Sequence, residues 1–142
     1  MQKVIAKNRL SNSYGMTLME ILIVMAIVAS LMAVLLPTVM DRYNKSKVNS
    51  TKLAMNQLIS SINLYYTDCG KYPDSMENLT TQDSSCSNWG PEAYVKKIPK
   101  DSWNRDLLYS AEGGNFVVKS LGSDGREGGE GYAKDINSEE LQ

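Results

Sequence analysis

The sequence predicts an α+β fold: one long N-terminal helix, apolar in its first half, packed by its second half on a small antiparallel sheet, with a loop-rich C-terminus. Three observations carry this. Residues 16–40 read MTLMEILIVMAIVASLMAVLLPTVM, an apolar run whose one charge is Glu20. Beyond it Val48, Leu53, Met55, Leu58, Ile59, Ile62 and Tyr66 recur at three- and four-residue steps between polar residues, which is the helical period. Near the C-terminus, Leu107-Leu108-Tyr109 and Asn115-Phe116-Val117-Val118 flank Glu112-Gly113-Gly114, two apolar runs joined by glycines as in a β-hairpin.

The apolar run is long enough, as a helix, to cross a ~30 Å hydrocarbon core. Pro37 lies late in it. Inside a helix it deletes the bond to the Ala33 carbonyl, which predicts a kink or a loosened turn. The helix is expected to continue amphipathically and to span roughly residues 17–67 in all. Asp68-Cys69-Gly70 stops it, and Lys71-Tyr72-Pro73 opens a polar loop. Residues 76–79 predict a short helical turn; residues 94–98, closed by Pro99, predict an extended or helical piece. The hairpin follows, and residues 137–142 are expected to fray.

Composition excludes several functions. With 15 Lys+Arg and 16 Asp+Glu in 142 residues, there is no clustered basic surface for nucleic acid. Histidine is absent, which removes Ser-His-Asp and Cys-His nucleophile systems and His-ligated zinc. No Gly-x-x-x-x-Gly-Lys loop occurs, and no acidic pair sits in an apolar setting that would tune it for catalysis. No enzyme is expected.

The charge distribution is more telling than the total. Lys3, Lys7 and Arg9 precede the apolar run, with no acid among residues 1–15; Arg42, Lys45, Lys47 and Lys52 follow it. Positive charge marks the cytoplasmic flank of a span. The leader carries the N-terminus beside the first span and outranks the second cluster, which places the C-terminal part outside. Cys69 and Cys86 are the only cysteines, without metal-site spacing. In an exported domain such a pair reads as one disulfide closing a polar loop; the alternative is two reduced thiols.

Glu20 is the sharpest signal. A charge near the bilayer centre costs roughly 2.5–3.5 kcal/mol by insertion scales and marks a function by default. A cleavable secretory signal would be cut after its apolar stretch, at small residues, and a plain signal anchor leaves Glu20 without a role. The basic leader ending at Gly15, followed by Met16-Thr17-Leu18-Met19-Glu20, resembles the class III signal of type IV pilins and pseudopilins. That resemblance implies a leader at 1–15, cut between Gly15 and Met16 by a prepilin peptidase that methylates Met16. It implies a single transmembrane segment at 16–40 in the bacterial inner membrane and a periplasmic, pilin-like head at 41–142. Glu20 would then meet the methylated amino group of Met16 on a neighbouring subunit. An unpaired carboxylate in lipid is strongly unfavourable, so this contact would set register during assembly.

The resemblance runs further. Leu64-Tyr65-Tyr66, Asp68, Gly70-Lys71-Tyr72-Pro73, the stretch from Tyr94 to Trp103, and Gly122-Ser123-Asp124-Gly125 follow the order seen in major pseudopilins of type II secretion. It implies a homopolymer, the pseudopilus that drives protein export across the outer membrane, with minor pseudopilins and an inner-membrane assembly platform as partners. Ser102 stands where that family usually has proline, Arg105 interrupts its Trp-Gly-Asn pattern, and the cysteine pair is not typical of it. These departures keep open a type IV pilus subunit serving adhesion, motility or DNA uptake. From another class, a monomeric membrane-anchored binding protein would stay uncleaved.

A last segment is rich in acids and glycines: Leu121-Gly122-Ser123-Asp124-Gly125-Arg126-Glu127-Gly128-Gly129-Glu130-Gly131, ahead of Asp135-Ile136. Calcium takes six to eight oxygens, and glycines let a short loop wrap an ion. The spacing is not that of an EF-hand. By resemblance to major pseudopilins, Asp124 and Asp135 would bind calcium with the Leu121 carbonyl and Ser120, and Glu130 is either a further ligand or a bystander. The alternative is a solvated acidic turn.

Overall fold

The computed structural model describes residues 15–141; the leader expected at 1–15 lies outside them except for Gly15. The chain divides into two compact units, at residues 1–39 and 40–142. Helix α1, Leu18–Cys69, contributes to both.

In the first unit α1 is a single apolar surface. Leu18, Met25, Leu31 and Val34 are all exposed, and the stretch is long and apolar enough to cross a membrane. Pro37 lies inside the helix without ending it.

In the second unit α1 is amphipathic. Its buried residues are Thr51, Met55, Leu58, Ile59, Ile62 and Tyr65, one stripe at the period of 3.6. Two expected members fall elsewhere: Leu53 is 65% exposed and Tyr66 45%. Leu53 lies two residues from both Thr51 and Met55, about 200° around the helix from each. Thr51 takes the inner place because its hydroxyl has a partner there, donating to Ser102 Oγ at 3.1 Å and accepting from Ser102 N at 3.0 Å.

The stripe packs with Leu79, Leu107, Phe116, Val118 and Ile136. The sheet is antiparallel, ordered β1 (Leu108–Glu112), β2 (Asn115–Ser120), β3 (Ile136–Asn137). Glu112 faces Asn115 across the two-residue turn. Gly113 and Gly114 both have positive φ, 61° and 81°, as the tight turn that matches strand twist requires. Residues 76–79 form the expected turn, as a 3₁₀ helix. Residues 94–98 form neither strand nor helix.

Residues 137–141 do not fray as expected; Gln142 lies outside the described residues. Ile136–Asn137 pairs with Ser120 and Lys119 of β2, and Ile136 is buried. Ser138, also buried, accepts a 3.0 Å bond from the Val118 N–H. Two apolar side chains, Ile136 and Leu141, one satisfied hydroxyl and the pairing with β2 dock this polar tail.

Candidate functional site

The N-terminal end of α1 is built by two residues. Thr17 N donates to Glu20 Oε2 at 2.7 Å, the Thr17 hydroxyl donates to the same oxygen at 3.0 Å, and Glu20 N donates back to Thr17 Oγ1 at 3.2 Å. This is a capping box, in which a Thr and a Glu three residues later satisfy each other's backbone donors. Within one chain the Glu20 carboxylate is thus already partnered, by two donors of Thr17, the residue before α1. The Thr-x-x-Glu spacing was present in the sequence and is the signal that announces it. Met16 is exposed, and among the described residues nothing lies within 4 Å of a Cβ built at Gly15.

At the other end of α1, Cys69 and Cys86 form a disulfide, with Cα atoms 5.1 Å apart. The loop it closes carries Leu79 into the core. Tyr65 donates to Asp83 Oδ2 at 2.5 Å, while Asp83 Oδ1 accepts from the Ser85 amide and hydroxyl at 2.8 and 2.7 Å. Burial, then the Asp83 carboxylate, pushes the Tyr65 phenol well above its usual range. The Tyr65 bond, then those from Ser85, hold Asp83 well below the carboxylate range.

The acidic glycine loop is tied down at three points. Tyr132 donates to the Asp41 carboxylate at 2.5 Å and to its carbonyl at 3.2 Å, and the Asp41 bond raises the phenol. Lys119 pairs with Glu127 at 3.1 Å and lies 3.9 Å from Asp135 Oδ2. Arg105 donates to the Gly122 carbonyl at 2.6 Å and the Ser123 carbonyl at 3.0 Å.

The five expected metal ligands are spread over this loop with different partners. Asp124 Oδ1 accepts from Arg126 N at 3.1 Å. Asp135 Oδ2 accepts from Gly128 N at 3.1 Å, while its Oδ1 is buried without a partner. The Leu121 carbonyl accepts from Gly125 N at 3.2 Å. Glu130 is exposed. Ser120 is directed elsewhere, its buried hydroxyl donating to Asp101 Oδ2 at 3.0 Å. Among the described residues no three acidic, histidine or cysteine side chains gather around one point. Any ion held here needs main-chain carbonyls to complete its shell.

Comparison with known proteins accords with these two regions. Residues 10–36 match the family described as prokaryotic N-terminal methylation motif, and residues 38–139 that described as type II secretion system (T2SS), protein G. The chain is 34% identical over 132 residues to the type II secretion system core protein G of Pseudomonas aeruginosa, covering 87% of this chain and 93% of that one. With the core protein G of Vibrio cholerae it shares 32% over 137 residues, 90% of this chain and 92% of that one. The fold matches the crystal structure of the major pseudopilin from the type 2 secretion system of enterohaemorrhagic Escherichia coli, with a TM-score of 0.59 at 22% identity, over 69% of this chain and 90% of that one. The exposed apolar helix with its capped glutamate and the small sheet-backed head thus belong to one known family: this chain is a member of the type II secretion system protein G family.

Proposed function

We propose that the chain is the major subunit of a type II secretion pseudopilus, a structural element that polymerises from the inner membrane and acts mechanically rather than as a catalyst. The observation that carries this is the methylation motif leading into the exposed apolar first half of α1, whose one charge, Glu20, is capped in the first turn. Such a surface has two uses, lipid before assembly and neighbouring helices after it. In the proposed cycle a prepilin peptidase cuts after Gly15, and the head, residues 41–142, lies in the periplasm. The new amino group of Met16 then draws Glu20 of an adjacent subunit away from Thr17. That exchange replaces two intrachain bonds with an ion pair in a low-dielectric setting, so a misplaced subunit gains nothing by leaving its cap. Minor pseudopilins and an assembly platform would be its partners.

The test is twofold. Intact mass of the assembled protein should correspond to a chain starting at N-methylated Met16. Glu20→Ala should insert normally, yet lose filament growth and secretion in a complementation assay. A retained leader in filaments, wild-type assembly by Glu20→Ala, or filaments that mediate twitching rather than secretion would overturn the assignment.

A calcium ion belongs to the same proposal. The donor set supports it in one respect: Asp135 Oδ1 is a buried carboxylate oxygen with no hydrogen bond, a group that favours a cation nearby. Asp124, Asp135 and the Leu121 carbonyl would hold the ion, an all-oxygen set that suits a hard cation. Ser120 is left out, its hydroxyl being engaged by Asp101. When bound, the ion would neutralise two carboxylates on one loop. Tyr132 and Lys119 position the loop by their own contacts.

A further inference from the structure

We infer that Arg105 is a resident cation of the acidic glycine loop, a positioning residue that keeps the carbonyl side of the loop folded whether or not a divalent ion is present. The inference concerns the head alone and stands independently of filament assembly.

The root of Arg105 is locked from three directions. Asp101, 5% exposed, accepts from Trp103 N at 2.9 Å and from Arg105 N at 2.8 Å through Oδ1, while its own N–H donates to the Arg105 carbonyl at 2.9 Å. Oδ2 of the same carboxylate takes the Ser120 hydroxyl of β2. Thr51 of α1 holds Ser102. Asn104 completes the turn at φ 65°, a left-handed conformation that asparagine tolerates better than most residues. The Arg105 side chain thus starts from a point fixed to both helix and sheet.

Its guanidinium meets the loop in two ways. Two nitrogens donate to successive carbonyls, those of Gly122 and Ser123. The planar group also lies against Gly125: a Cβ built there would stand 2.7, 2.8 and 2.9 Å from Cζ, Nε and Nη1. Near-equal distances to three atoms of one plane mean that Gly125 is covered face-on. Two adjacent carbonyl dipoles aimed at one positive charge form the arrangement a metal would otherwise stabilise. Here a covalently tethered cation supplies it without dissociating. Lysine could not reproduce this, because an ammonium is a point charge without the fork that spans two acceptors. The two Arg105 bonds go to carbonyls, and Asp135 keeps its own neighbours, Gly128 N and Lys119.

The experiment is hydrogen exchange on the full chain in detergent micelles, with chelator or with millimolar calcium. The readouts are the Ser123 and Gly125 amides, bonded to the Tyr132 and Leu121 carbonyls. In the wild type both should be protected in chelator. Arg105→Gln should speed their exchange in chelator by at least about tenfold, equivalent to ~1.4 kcal/mol of local opening. The Val118 amide in the core serves as the control for folding and should not change. Arg105→Lys should fall between the two. Wild-type protection that appears only with calcium, unchanged exchange in Arg105→Gln, or full protection in Arg105→Lys would each overturn the inference. Calorimetry with calcium is a separate arm: absence of heat would reject the ion proposed at Asp124 and Asp135 and leave the exchange result standing.

Discussion

Replacing both Cys69 and Cys86 by serine removes the one covalent tie between the end of α1 and the loop after it, and its cost follows from loop size. The bonded residues are 17 positions apart. The chain-entropy relation gives ~3 kcal/mol for closing a loop of that length in the unfolded state. In the folded state the same loop keeps other anchors: Tyr65 on Asp83, and the Trp89 indole N–H donating to the Asn78 carbonyl at 2.9 Å. The native structure of the variant should therefore persist, and the loss should act through the unfolded ensemble. For a head of this size about 3 kcal/mol corresponds to a fall in Tm of roughly 10–20 °C. Thermal unfolding of the full chain in micelles, followed by near-ultraviolet circular dichroism of Trp89 and the Tyr94 ring beside it, reads this directly. The folded spectrum should be retained at low temperature. A shift of only a few degrees would refute the reasoning, as would alkylation of Cys69 or Cys86 in unreduced wild-type protein.

Other perturbations test the remaining contacts. Thr17→Val removes the hydroxyl that accepts from Glu20 N and donates to its carboxylate, so exchange of the Glu20 amide should accelerate; an unchanged rate would discount the capping box. Asp124→Ala should abolish calcium heats in calorimetry and any calcium-induced rise in Tm, with the chelated melting temperature unchanged; undiminished binding would move the ion elsewhere. Stability should be flat in mid-range pH and fall on both sides. Asp83 is held low by Tyr65 and Ser85, so its contribution is present above about pH 4 and lost as pH falls further. The phenols run the other way. Tyr65 is raised by burial and Asp83, and burial pushes Tyr109 up to about 12, so their contributions are complete below about pH 10 and lost as pH rises beyond it. Tyr65→Phe should weaken both limbs, and an unaltered pH profile in that variant would reject the pairing.

Much of this molecule was written in local sequence. An unbroken apolar run, the three- and four-residue period from Val48 onward, and two glycines between β-prone runs are short-range signals, and α1 and the β1–β2 hairpin follow them closely. The Thr17-x-x-Glu20 cap was equally local. Glu20 is at once a charge among apolar residues and half of a capping pair.

What the sequence alone determined was therefore element type and the identity of the special residues; partner choice belonged to the tertiary structure. Thr51 rather than Leu53 faces inward because helix phase is set by what lies opposite, and Ser102, 51 positions away, offers a hydrogen bond. The tail docks because β2 presents a free edge and the Val118 amide to Ile136 and Ser138. Ser120 belongs with Asp101 and not with the loop it precedes. Arg105, which interrupts the Trp-Gly-Asn pattern, is the side chain that bridges the 101–105 turn and the Gly122–Ser123 carbonyls. No local propensity encodes such pairs. They form because packing α1 on the sheet removes water from these polar groups, and a desolvated donor or acceptor must then find whatever partner the fold brings within reach.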